Sequence, residues 1–273
     1  MSFYSFPFFK LSPGGNPTIL IDDADMASLP ATTRASIANA LLHSDHLCAD
    51  QVGFLSIIND IPHMEMMGGE FCVNALRSAA AVFARKGILP RTGDKEWAGE
   101  ITTSGASDSV HVSVRETFKD VIYESGIALP APPQNSAQET APGEVLVRLP
   151  GITHLLLDTA RHSFPTNPLE AAKEKRREYG LEKEEAAGVV WFSEKEGAYS
   201  ILPVVHVAAT ESAVLESACG SGSLALALYL SPEKELWVEQ PSGHSLSIRF
   251  GSETAWIRGI VTVTAHGQAY VSI

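Results

Sequence analysis

Met64-Glu-Met-Met-Gly-Gly-Glu-Phe-Cys72-Val-Asn-Ala-Leu-Arg-Ser-Ala-Ala-Ala-Val-Phe83 sets the reading of the whole chain. A cysteine closes a glycine-containing turn and opens a run of good helix formers. The pattern returns in Glu216-Ser-Ala-Cys219-Gly-Ser-Gly-Ser-Leu-Ala-Leu-Ala-Leu-Tyr-Leu230. A thiol at a helix start faces free backbone N–H groups and the positive end of the helix dipole, and both favour thiolate over thiol. Either cysteine alone is as readily explained as a small buried hydrophobe beside a tight turn. Two in matching contexts point to a pair of reactive thiols.

Composition narrows the class of protein around that pair. Hydrophobic residues make up 45% of the 273 and aromatic residues 8%, ample for one large core or two ordinary ones. A net charge of −12 argues against nucleic acid or an anionic membrane as partner. Small anionic substrates stay open, because the field of a site differs from that of the whole surface. The three cysteines, Cys48, Cys72 and Cys219, are odd in number and hold no C-x-x-C pair, which fits a reduced intracellular protein. Cys and His do not cluster as a zinc site would need, so no metal is expected. The apolar start, Met1 to Lys10, has no basic region and contains a proline, so it reads as a strand rather than a signal peptide. No apolar run approaches the ~20 residues of a spanning helix. A soluble, cytoplasmic protein is expected.

Hydrophobic periodicity gives strands at 3–11, 18–22 and 51–57, a helix at 31–43, and a second helix at 74–85 after the Cys72 turn. Short strands follow at 101–103, 110–114 and 121–123. Residues 128–143, rich in proline and small polar side chains, read as a linker. The series then begins again. Thr153-His-Leu-Leu-Leu-Asp158 echoes Thr18-Ile-Leu-Ile-Asp22, and Gly188 to Ser193 echoes Gln51 to Ile57. A charged helix is expected at 168–179. After Cys219 and its helix, Ser242 to Phe250 echoes Ser104 to Val114. Four landmarks in one order predict a duplicated α/β unit rather than an unrelated string of strands in one α+β domain. The expected halves are 1–127, completed by a last strand at about 263–273, and 144–262. Related halves place equivalent loops face to face, which would bring Cys72 and Cys219 to one cleft.

Two opposed thiols suit a particular reaction. Inverting a carbon stereocentre needs a base on one face and an acid on the other, and a thiolate facing a thiol supplies both. The carbanion formed at Cα must be stabilised, and helix N-termini aimed at the substrate carboxylate are the natural device. Val73, Asn74, Gly220 and Ser221 supply N–H groups just past each cysteine, and Gly222 completes a stretch that lets the backbone approach closely. No pyridoxal lysine motif or dinucleotide G-x-G-x-x-G is evident, so no cofactor is expected. His154 at a strand start is a candidate to tune a thiol, with a structural histidine as the equal alternative. Glu211 and Glu216 precede Cys219 and Glu70 precedes Cys72; each glutamate alone reads more readily as a surface carboxylate.

These residues resemble the diaminopimelate epimerase family of cofactor-independent racemases and epimerases. Its motifs are matched by Gly15-Asn16, by Ala49-Asp50-Gln51, by Cys72-Val73-Asn74, by Gly151-Ile152-Thr153-His154 and by Ala218-Cys219-Gly220-Ser221-Gly222. The resemblance implies an α/β (α+β) fold of two pseudo-symmetric halves, each a sheet or barrel around a central helix. It implies Cys72 and Cys219 as catalytic thiols with His154 and Glu211 beside them. Asn16, Gln51, Met67, Val73, Asn74, Gly220, Ser221 and Gly222 would contact substrate. It also implies a homodimer. Departures bear on the substrate: Ile152 replaces an asparagine, and no arginine lies between Ser193 and Ala218 to hold a distal carboxylate. Met64, Met66 and Met67 stand where the family is polar and are candidates for a wall that excludes a charged substrate tail. Diaminopimelate is therefore disfavoured.

Within the family the chain looks most like the histidine racemases of staphylopine-type metallophore biosynthesis. Asn16-Pro-Thr-Ile-Leu, Cys48-Ala-Asp-Gln-Val-Gly-Phe, Glu70-Phe-Cys72, Glu216-x-x-Cys219-Gly-Ser-Gly and Gln240-Pro-x-Gly carry that likeness. It implies conversion of L-histidine to D-histidine. Val73 departs from the usual glycine. Racemisation of another amino acid, or amino-acid binding without turnover, are the alternatives.

Overall fold

The computed structural model describes residues 2–208 and 212–273, the side chains of Gln134 and Ser212 excepted. The chain divides into two units, Met1–Ala128 with Arg258–Ile273, and Leu129–Ile257. The architecture is α+β and dominated by sheet.

The first unit runs β1 (Phe3–Pro13), β2 (Thr18–Ile21), α1 (Ala24–Ala27), α2 (Ala31–Leu42), β3 (Gln51–Ile58), β4 (Ile61–Met66), α3 (Val73–Arg85), β5 (Arg91–Gly93), β6 (Glu96–Thr103), β7 (Val110–Phe118) and β8 (Ile122–Pro130). β1 pairs antiparallel with β2, and β2 lies parallel to β3 with Thr18 opposite Gln51. β3 and β4 form an antiparallel hairpin, and β4 lies parallel to β6. Every residue of β2 is buried, the signature of a strand covered on both faces. Ile19 and Ile21 pack with Ile37 and Leu41 of α2, together with Phe6, Phe8, Val52 and Phe54. Leu20 points to the opposite face, on the side of α3. α3 is the core of this unit: its residues from Val73 to Ala84 are all buried. The alanines there allow strands to close around the helix, and Gly87, at φ +69°, ends it.

The second unit runs β9 (Ala137–Ala141), β10 (Glu144–Leu149), β11 (Ile152–Asp158), α4 (Pro168–Glu178), β12 (Ala186–Lys195), β13 (Ala198–Val207), β14 (Ser212–Leu215), α5 (Gly220–Leu230), β15 (Leu236–Glu239) and β16 (Ser245–Phe250). β17 (Thr254–Ser272) begins here and continues into the first unit, where it pairs antiparallel with β1. The pairing scheme repeats that of the first unit. β11 lies parallel to β12, β12 and β13 form an antiparallel hairpin, and β13 lies parallel to β15. α4 covers one face through Ala172, beside Leu155, Leu157, Val189 and Trp191. α5 packs against β10, β11 and β16. A strand–hairpin–cysteine helix–strand unit thus occurs twice.

Residues 128–143, read from sequence as a linker, instead hold the end of β8, one 3-10 turn and β9, whose residues pair with β10 from Val145↔Glu139 to Val147↔Ala137. Proline and small residues masked a short edge strand there. The strands expected at 101–103 and 110–114 are parts of longer β6 and β7, whose remaining residues are exposed or half-buried and carry a weak apolar signal. The strand expected at 121–123 is the start of β8, which runs on through buried Ser125, Gly126 and Ile127.

The turn before α3 is fixed by one close contact. A side chain at Gly105, which has φ +71°, would fall onto the backbone nitrogen of Phe71. Gly69, at φ +78°, has open space around it. Gly105→Ala is therefore expected to destabilise by more than about 2 kcal/mol, and Gly69→Ala by about 1 kcal/mol through backbone strain alone. Urea unfolding midpoints of the two variants check this ordering.

Candidate active site: two capped thiols

Cys72 and Cys219 occupy the same local geometry, each in its own unit. Cys72 is the N-cap of α3 at φ −132°, ψ 112°, and Cys219 the N-cap of α5 at φ −132°, ψ 105°. The Cys72 Sγ accepts a hydrogen bond from the Ala75 N–H at 3.4 Å, and the Cys219 Sγ accepts one from the Gly222 N–H at 3.4 Å. Each sulfur thus takes the place of a capping serine oxygen at the positive end of a buried helix.

Around Cys72, the parallel register of β2 and β3 sets Thr18 against Gln51. The Gln51 Oε1 accepts from the Cys72 thiol at 3.2 Å and from the Thr18 hydroxyl at 3.5 Å. Asn16, two residues before Thr18, is buried, and its Oδ1 has no hydrogen-bond partner among the described residues. A buried amide acceptor left unpaired costs about 1–3 kcal/mol, a cost that a donor arriving with a ligand removes. Val73 is 7% exposed, and the Asn74 side chain turns back along α3 to accept from Arg77 at 3.0 Å. Met64 and Met66 are core residues of β4, exposing no more than 1% of their surface, so they present no wall to a substrate. Met67 is half-buried against the cluster of β1–β3 and α2.

Around Cys219 the surroundings differ. The thiol is 2% exposed and lies against the Glu216 carboxylate. Burial pushes its pKa well up, and Glu216 raises it further by charge and hydrogen bond. The Ser221 hydroxyl and the Gly222 N–H pull the other way and are outweighed. A helix start favours thiolate, but at Cys219 loss of water and an adjacent carboxylate overcome the dipole. The Ser221 Oγ lies 3.5 Å from the Cys219 sulfur and 3.0 Å from the His154 Nε2. His154 is fully buried, and burial lowers its pKa to about 4, so it is neutral at pH 7. Its Nδ1 packs on Gly188, where any Cβ would fall inside the ring, and has no partner. The tautomer that leaves no buried N–H unbonded carries its proton on Nε2 and donates to Ser221. The Ser221 O–H is then free to donate to Cys219.

Glu211 lies outside the described residues. Glu216, set aside in the sequence as one of several plain glutamates, is the carboxylate beside the thiol. Gln240 also escaped a site assignment: its buried Oε1 accepts from the Cys219 N–H at 2.8 Å, and its Nε2 donates to Ser223 at 3.0 Å. The signal was there in Gln240-Pro-x-Gly. Among the described residues no three His, Cys, Asp or Glu side chains gather as a metal site would need. None of the described helices is long and apolar enough to cross a membrane.

Comparison with known proteins decides what these capped thiols belong to. Residues 5–270 match the family model described as the histidine racemase CntK N-terminal domain. The chain belongs to the histidine racemase family. The histidine racemase of Fusobacterium nucleatum subsp. nucleatum is 31% identical over 278 residues, covering 97% of both chains. That of Staphylococcus aureus is 26% identical over 281 residues, also 97% of both. Among solved structures, a hydroxyproline epimerase from Agrobacterium vitis shares the fold, with a TM-score of 0.63 and 10% identity over 98% of this chain and 93% of that one. The protein is an isomerase of the racemase class, with the epimerase-like fold anticipated from its motifs.

Burial of neutral His154 has a pH signature. In the unfolded chain a histidine protonates near pH 6.5, while in the fold it stays neutral down to about 4. The unfolded state therefore binds more protons in that window, and stability falls as pH drops from about 6.5 towards 4. At pH 4.5 the loss relative to pH 7 amounts to about 2 kcal/mol. Denaturant melts at both pH values check this: His154→Gln should show a correspondingly smaller loss than the wild type.

Proposed function

We propose that the protein racemises histidine, converting L-histidine to D-histidine with Cys72 and Cys219 as the acid/base pair and without an organic cofactor. The observation that carries this reading is the repeated thiol cap, in a chain whose family and relatives bear the name histidine racemase. One thiolate takes the Cα proton, and the thiol on the other side of the carbon delivers its own. The electron pair left at Cα is delocalised into the substrate carboxylate. N–H groups of Val73, Asn74, Gly220 and Ser221, at the starts of α3 and α5, are the donors assigned to that carboxylate.

Asn16 supplies the acceptor assigned to the α-ammonium group, which meets its unpartnered Oδ1. Gln51 and Ser221 hold the sulfurs from the side, and His154 orients Ser221. Met67 and Val73 are the remaining candidates for substrate contact. We place the enzyme in the cytoplasm, where its thiols stay reduced, and as a homodimer. D-histidine would serve an opine-type metallophore.

The direct test follows the optical rotation of L-histidine with reduced enzyme. Serine caps a helix as well as cysteine does, so Cys72→Ser and Cys219→Ser should fold and each lose activity on the order of 10³-fold or more. Racemisation by both variants at the wild-type rate rejects the pair. Asn16→Ala should raise KM for histidine about tenfold, the worth of one hydrogen bond to a charged group. A panel of amino acids under the same assay separates histidine from other substrates, and binding of histidine without turnover by reduced enzyme would identify a non-catalytic relative.

A further inference from the structure

Arg77 is the largest fully buried side chain described in the protein. It lies on α3, five residues past Cys72. Its Nη2 donates to the Asn74 Oδ1 at 3.0 Å, while Nε and Nη1 are buried without a hydrogen-bond partner. No carboxylate among the described residues forms an ion pair with it. A guanidinium shut away from water with two idle donors is strongly disfavoured unless a negative charge offsets it. Burial draws its pKa down to about 10, so it stays charged at neutral pH, and the opposing charge it feels is that of Cys72.

The neighbours of Cys72 are compatible with an anion. The Cys72 sulfur sits at the positive end of α3. A half-turn of the Gln51 carboxamide places an N–H where its oxygen now stands, 3.2 Å from the sulfur. Two carboxylates are near in the chain. Glu70 folds its carboxylate back over Gly68, and burial raises the pKa of Asp50, beside Gln51, favouring its neutral form. The contrast with the second unit is plain: Cys219 meets the Glu216 carboxylate, the Ser221 hydroxyl and, through it, a neutral histidine.

We infer that Arg77 is the buried counter-ion of a Cys72 thiolate, and that it sets the resting state of the pair, with the charge on Cys72 and the proton on Cys219. This rests on the reading of both thiols as the reacting groups. The resting enzyme is then ready for the enantiomer that turns its Cα–H towards Cys72. Turnover leaves the proton on Cys72 and the charge on Cys219, and a proton must return before the next molecule of that enantiomer is accepted. Arg77 touches no substrate; it is a positioning residue that acts through the sulfur.

The test reads each thiol separately. Full-length reduced protein is treated briefly with iodoacetamide from pH 5.5 to 10, and alkylation of each cysteine is measured by peptide mass spectrometry. In the wild type, Cys72 is expected to react with a midpoint below the ordinary thiol value of about 8.5. Arg77→Met should raise that midpoint by one unit or more, a loss of about tenfold in thiolate at pH 7. Arg77→Lys, which keeps the charge, should restore most of it. Exposed Cys48 should not move in any of them. A wild-type midpoint at or above the ordinary value, an unchanged midpoint in Arg77→Met, or equal behaviour of Met and Lys overturns the assignment. Misfolding reveals itself as buried Cys219 reacting as fast as Cys48. If Arg77→Met misfolds, the wild type and Arg77→Lys decide: both must keep the lowered midpoint. A lowered, Arg77-dependent midpoint in a protein that racemises nothing rejects the functional reading and leaves the counter-ion standing.

Discussion

A sulfur at the N-cap of a buried helix is the constraint around which each unit is built. A helix start leaves N–H groups without partners, and strands closed around α3 and α5 leave little water to satisfy them. Serine, threonine, aspartate or asparagine would satisfy them better, since a thiol sulfur is a weak acceptor. Stability alone therefore argues against cysteine at these positions. Finding it at both, at nearly the same backbone angles, points to a chemical reason. The surrounding residues follow from holding those caps still. Gly105 lets the chain press against the turn before Cys72, and Gln240 holds the backbone of Cys219.

The same cap sits in opposite electrostatic settings. In the first unit a buried guanidinium stands behind the thiol; in the second a carboxylate lies against it and a neutral histidine supports a neighbouring serine. With Arg77 as the counter-ion proposed above, a duplicated framework with diverged surroundings gives two thiols of unlike acidity from one local geometry. An acid/base pair needs this, since two equal thiolates could not donate a proton and two equal thiols could not accept one.

Much of this was legible in the chain. The cysteine turns announced both central helices, because a turn, a capping residue and a run of alanine or leucine coincide at each. The repeat was legible because Thr18 and Thr153 open strands with the same parallel partnership, β2 to β3 and β11 to β12. The extent of β6 and β7 was not, since their remaining residues are exposed or half-buried and carry a weak apolar signal, and that of β8 was not, since Ser125 and Gly126 interrupt its apolar run. Nor was β9, an edge strand of polar composition. At the site, the methionines at 64 and 66 looked like a substrate wall because a sequence does not say which face of a strand is inward. Arg77 was hidden in a helix whose every neighbour reads as packing. Glu216 was one of several glutamates until its hydrogen bond to the Cys219 thiol singled it out.

The central claim is that two groups, not one, handle the Cα proton. Isotope distribution at low conversion tests it most directly. L-histidine is turned over in D2O and both enantiomers are recovered before a few per cent has reacted. A thiolate on one face and a thiol on the other predict deuterium in the D-histidine product and essentially none in the recovered L-histidine. Equal labelling of recovered substrate and product would mean that a single base removes and returns the proton, and would contradict the account.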